Sequence, residues 1–238
     1  MIIDGGLGVE LAERGFVFTT RLWSGEAILT RPDLLRDIHG AYLAAGAEVI
    51  ASATYQLSHE TLRELGYDDA AIDDIFARGI GLAREAVAAH RAATAQIAAP
   101  QTLAPALVAA SLGPYGATRG DGSEYAATQH LAPDALRAFH AERLAAVVRA
   151  QPDLIMFETI PTRAEARIVA EAARDAGAER TWIALSCADG ERTFGGDRVA
   201  EIAPELAGIA GVEVVGVNCT APPAIAPLLR VLRAASDK

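Results

Sequence analysis

The chain has 238 residues, 51% of them hydrophobic and 22% charged, with a formal net charge of −10. That length suits one large α/β domain or two small ones, and the apolar content allows a substantial core. The acidic balance and the lack of a basic run argue against a nucleic-acid or anionic-membrane partner, and no apolar run reaches membrane-spanning length.

Cysteines stand only at 187 and 219, which gives no disulfide framework and points to a reducing compartment. The N-terminus Met1-Ile2-Ile3-Asp4 has neither a charged n-region nor an apolar h-region, so a soluble cytoplasmic protein is expected.

A short first strand is predicted near 1–4, followed by Gly5, Gly6 and Gly8 and a helical turn or two at 9–14. Thr30-Arg31-Pro32-Asp33 reads as a helix start, with a threonine cap, an early proline and an acid in the first turn. Leu34, Leu35, Ile38, Ala41, Tyr42 and Ala45 share one face of that helix, and Gly46 stops it. The second strand is predicted at 48–53 and a longer helix at 69–90, with Ile72, Ile75, Phe76, Gly79, Ala83 and Val87 turned inward. The third strand, 106–111, is broken by Gly113-Pro114-Tyr115-Gly116. A polar, glycine-rich loop follows through 118–123, long enough to act as a lid.

A helix at 133–150 leads to the fourth strand, 154–158. Thr162-Arg163-Ala164-Glu165 has the pattern of a capping box for a helix ending near Gly177. Strands at 181–187 and 212–218 and helices at 198–207 and 222–235 complete the series. Strands alternating with helices imply parallel pairing through right-handed crossovers. The expectation is a single domain over 1–238 with about six βα units. Pattern alone leaves two architectures: an open doubly wound sheet, and a closed barrel, which needs eight strands.

Asp4, Tyr55, Ser111, Glu158, Cys187 and Cys219 all fall at or just beyond predicted strand C-termini, the ligand-binding face of a parallel α/β protein. Acids and hydroxyls there also cap the following helices. For Glu158 that reading is weaker, because Thr162 already occupies the cap. A carboxylate ending an apolar strand is costly unless paired. Cys219 reads as a buried structural cysteine, a nucleophile or a metal thiolate. The histidines at 39, 59, 90, 130 and 140 fall in helices or their approaches, and none at a strand end.

Several motifs, taken together and in order, resemble the homocysteine S-methyltransferase family. They are Asp4-Gly5-Gly6-Leu7-Gly8-Val9-Glu10-Leu11, Leu22-Trp23-Ser24, Ala45-Gly46-Ala47-Glu48 and Ser52-Ala53-Thr54-Tyr55-Gln56. Gly113-Pro114-Tyr115-Gly116, Asp121-Gly122-Ser123-Glu124-Tyr125, Glu158-Thr159-Ile160-Pro161 and Gly216-Val217-Asn218-Cys219 follow. The resemblance implies a (β/α)8 barrel of the TIM type, and zinc held by three cysteines. Cys219 matches the cysteine ending the sixth strand. The family's paired Gly-Gly-Cys-Cys ligands have no counterpart here, so the expected domain is a C-terminally incomplete barrel. By the same resemblance Asp4 and Glu158 contact the amino group of homocysteine, with Tyr55 nearby. Cys187 is a weaker candidate for a replacement ligand.

The implied reaction is zinc-dependent methyl transfer from a sulfonium, S-methylmethionine or S-adenosylmethionine, to the homocysteine thiolate, giving methionine. Such chemistry needs a deprotonated thiol and positioning, and no general base on the donor. Two alternatives stand beside it. One is a truncated, non-catalytic relative that binds an amino acid or a partner chain, with self-association through open barrel edges. The other is a metal-free enzyme using Glu158 as acid or base.

Overall fold

The computed structural model describes residues 1–95, 106–126, 131–236 and 238. Five parallel strands form its sheet: β1 (Val49–Ala51), β2 (Leu107–Leu112), β3 (Leu154–Ile160), β4 (Thr181–Leu185) and β5 (Val212–Val217). Their spatial order is their chain order. A doubly wound sheet reverses direction partway along. This one does not, so of the two architectures left open it follows the one-way progression of a barrel wall.

The helices are α1 (Leu7–Glu13), α2 (Glu26–Thr30), α3 (Pro32–Ala44), α4 (His59–Glu64), α5 (Asp69–Ala95), α6 (Ser123–Ala126), α7 (Pro133–Arg149), α8 (Arg163–Asp175), α9 (Val199–Ala207) and α10 (Pro222–Ala235). The longer ones cover the outer face of the sheet. Strand alternation then sorts side chains between two compartments. Val108, Ala110, Leu112, Ile155, Phe157, Ile183 and Leu185 join the helices in the main core. Val49, Ala109, Leu154, Met156 and Trp182 form a smaller cluster on the opposite, inner face. Ser111 and Glu158 are in phase with that inner set, because they lie two residues on from Ala109 and Met156.

Local departures from the expected elements have identifiable causes. The predicted first strand reduces to one parallel bridge, Ile3 to Val49, supported by Asp4 N–H to the Val49 carbonyl at 3.0 Å. Thr30 does not cap α3. It is the last residue of α2, and its hydroxyl donates back to the Glu26 carbonyl at 3.0 Å. Arg31 stands at the cap without a side-chain bond, and Pro32 opens the helix as read. The capping box is half formed: Thr162 Oγ1 accepts from Glu165 N–H at 3.2 Å, but the Glu165 carboxylate turns elsewhere. Gly46 does stop α3, in the left-handed conformation at φ 101°. The strand predicted to reach Cys187 ends at Leu185, and the chain then makes a small antiparallel excursion in which Cys187 bridges Thr193.

Candidate functional site

A cavity of about 820 Å³ opens at the C-terminal ends of the strands. Asp4, Tyr55, Ser111, Glu158 and Cys219 all line it; Cys187 does not. Cys187 is buried in the outer core, where burial pushes its thiol up to about 11. It therefore does not join Cys219 at the cavity. Of the histidines, His39, His59 and His140 are buried away from the cavity, and His130 lies outside the described residues.

Asp4 leaves the N-terminal bridge and turns its carboxylate inward, where Oδ2 accepts the Ala51 N–H at 2.9 Å. Burial, and secondarily the charge of Glu158, push its pKa up to about 7 against the shielding of that bond. Glu158 is held from both sides. Ser111 Oγ donates to Oε1 at 2.5 Å and Asn218 Nδ2 to Oε2 at 3.3 Å, yet burial still raises its pKa. Two carboxyl groups thus line one cavity, each disfavoured as an anion by its burial.

The strand carrying Glu158 is irregular there. Its register against β4 shifts between Phe157 and Ile160, and Thr159 takes a left-handed φ of 62°. Asn218 stitches this bulge: its Oδ1 accepts Thr159 N–H at 2.7 Å and its Nδ2 reaches Thr159 Oγ1 at 3.1 Å. Thr159 Oγ1 in turn points at Cys219 Sγ, 3.4 Å away. Cys219 also has positive φ, 46°, and is exposed to the cavity. The Tyr125 phenol approaches the same sulfur.

Aromatic walls complete the cavity. Trp23 stacks on Phe18 at 4.4 Å and lies against Gly8, where any Cβ would meet its ring at 2.6 Å. Tyr55 lies against Gly113 in the same way, at 2.7 Å. Burial, and then the charges of Glu124, Cys219 and Glu158, raise the Tyr55 pKa, so the phenol stays protonated. Behind the wall, buried Arg143 on α7 donates to the Gly113 carbonyl at 2.7 Å and the Tyr55 carbonyl at 2.8 Å. Glu165 accepts Tyr115 N–H at 2.7 Å and pairs with His140 Nε2 at 2.9 Å. Gly120 and Gly122 of the expected lid loop reach the cavity, as do Glu124 and Tyr125 beyond it.

Sequence reasoning singled out Asp4, Tyr55, Ser111, Glu158 and Cys219 as strand-end residues. It missed Trp23, Glu124 and Asn218 as pocket residues. Asn218 carried the clearest unused signal, an amide beside a cysteine at a strand end.

The arrangement defines an α/β protein with a ligand pocket at the C-terminal ends of a one-way parallel sheet, acidic and sulfur-bearing. The homocysteine S-methyltransferase family model matches residues 1–238, and the chain belongs to that family. It is 38% identical over 240 residues to homocysteine S-methyltransferase 4 of Zea mays, covering 100% of this chain and 70% of that protein. It is 34% identical to homocysteine S-methyltransferase of Escherichia coli K12 over 93% of this chain and 69% of that one. Selenocysteine Se-methyltransferase of Brassica oleracea var. italica is also 34% identical, over 93% of this chain and 65% of its own length. The oxidized form of the Escherichia coli homocysteine methyltransferase MmuM superposes with a TM-score of 0.91 at 32% identity, covering 99% of this chain and 79% of that one. Its metallated form gives 0.89.

Proposed function

We propose that this chain, as a single barrel-type domain, moves a methyl group from a sulfonium donor to the thiol of homocysteine, giving methionine. The observation that carries the reading is the cavity lining: Asp4, Glu158 and Glu124 are acidic, Cys219 brings sulfur, and among the described residues no lysine, arginine or histidine lines it. Such a lining favours ligands with positive groups, an α-ammonium and a sulfonium.

In this reading Asp4 and Glu158 accept the ammonium of homocysteine, and its charge draws both carboxyls back to the ionised form. Ser111 and Asn218 fix Glu158, and Tyr55 closes the wall beside it. The thiol is then directed toward Cys219. A sulfur–carbon bond forms to the methyl group as the donor's sulfonium–carbon bond breaks. The electron pair leaves with the neutral thioether, and the thiol proton is released to solvent. Holding the two sulfur atoms in line is the main contribution asked of the protein.

Zinc enters the proposal through Cys219, as one thiolate of the three or four donors zinc takes. Among the described residues no three His, Cys, Asp or Glu side chains are placed to hold one metal ion. These residues therefore do not make a zinc site by themselves, and completing one requires donors from outside them. That observation also supports a second reading, an amino-acid-binding relative without catalysis.

Homocysteine titration by calorimetry, with a methionine-formation assay on the same preparation, tests both. Binding that weakens at least about tenfold in Asp4→Asn and Glu158→Gln, with methionine produced from S-methylmethionine, is expected. Binding without methionine supports the second reading, and no binding overturns both.

A further inference from the structure

Glu124 is the third carboxylate of the cavity, and it differs from the other two. Asp4 is bonded by the Ala51 N–H, and Glu158 by Ser111 and Asn218. Glu124 Oε2 is buried from solvent yet has no hydrogen-bond partner among the described residues. An unpartnered buried acceptor is costly, more so when ionised. Burial accordingly raises the Glu124 pKa.

The position is built rather than incidental. Glu124 lies on α6, which rests on the 3-10 turn Tyr115–Arg119. Gly116 makes that contact possible: a Cβ there would lie 2.8 Å from the Glu124 backbone nitrogen and 2.8 Å from the Ser123 carbonyl oxygen. The next residue, Tyr125, approaches the Cys219 sulfur. Glu124 therefore lines the same cavity as Cys219, toward which the homocysteine thiol is directed in the methyl-transfer reading, and one of its carboxylate oxygens is unpartnered among the described residues.

We propose that Glu124 holds the positive charge of the sulfonium donor and so selects cationic methyl donors. The inference rests on the methyl-transfer reading above. The charge it holds exists only before transfer, because the donor leaves as a neutral thioether. Glu124 thus contributes to donor binding and not to the barrier, and its loss raises the donor KM while leaving kcat unchanged or higher.

The test uses S-methylmethionine and its neutral isostere, in which a CH group replaces the sulfonium sulfur, titrated by calorimetry into the wild-type chain and Glu124→Gln. Wild type is expected to prefer the sulfonium by about ten- to a hundredfold, the range of a charge-assisted contact. Glu124→Gln is expected to bind both alike, with isostere affinity unchanged. Glu124→Ala gives the same collapse should the glutamine variant not fold, and Glu124→Asp retains part of the preference. An undiminished preference in the neutral variants, with homocysteine still binding, overturns this inference alone. Failure of wild type to bind either homocysteine or S-methylmethionine overturns the methyl-transfer reading, and this inference with it.

Discussion

Asp4 shows a conflict between stability and function within one side chain. Its pKa rises from 3.8 to about 7 on folding. Below the lower value both states carry the proton and pH has no effect. Between the two, the unfolded chain has lost the proton and the fold keeps it, so stability falls as pH rises. Asp4→Asn should therefore stabilise the protein, by an amount that grows from about pH 4 to about pH 7 and then levels off at no more than about 4 kcal/mol. Thermal melts of both proteins across that range check it; a variant less stable than wild type at neutral pH contradicts the burial argument. An ammonium ligand reverses the preference, because it needs the anion. Homocysteine affinity should accordingly rise through about pH 7 in wild type, with proton release, and in Asp4→Asn lose the Asp4 share of that dependence while the Glu158 share remains. Asp4 and Glu158 were legible as cavity residues because strand ends and two-residue alternation are visible in sequence. Trp23 and Glu124 were not, because they stand on short irregular segments where periodicity carries no information.

Between elements, the polar cluster behind the cavity wall joins α7, α8 and the segments after β1 and β2. Arg143 is wholly buried, packs 5.1 Å from the Phe139 ring centre, and supplies both donors that fix the Tyr55 and Gly113 carbonyls. Arg143→Met leaves the Tyr55 carbonyl with only the Gly113 N–H and strips the Gly113 carbonyl of its Arg143 bond. A loss of about 3–5 kcal/mol by urea denaturation is expected, with Arg143→Lys recovering part of it. A loss below about 1 kcal/mol shows that water replaces the guanidinium. None of this was readable beforehand. An arginine inside an amphipathic helix pattern looks like a solvated residue, and Glu165 looked like the second half of a capping box. The helices themselves were legible. Their apolar periodicity survives folding, whereas caps depend on neighbours, as Thr30 shows by ending α2 instead of opening α3.

For the molecule as a whole, strand alternation with helices gave parallel pairing, but only the structure distinguished one-way winding from a doubly wound sheet. Among the described residues no strand pairs with the outer edge of β5, and Val214 on that strand is 38% exposed where it lines the cavity. The same sheet order bears on how the protein is made. Each strand pairs with the one synthesised before it, so a strand finds a finished partner as soon as its own crossover helix has emerged. Among these five strands pairing never waits for a distant segment, which keeps loop-closure costs low and lets the sheet assemble in the direction of translation.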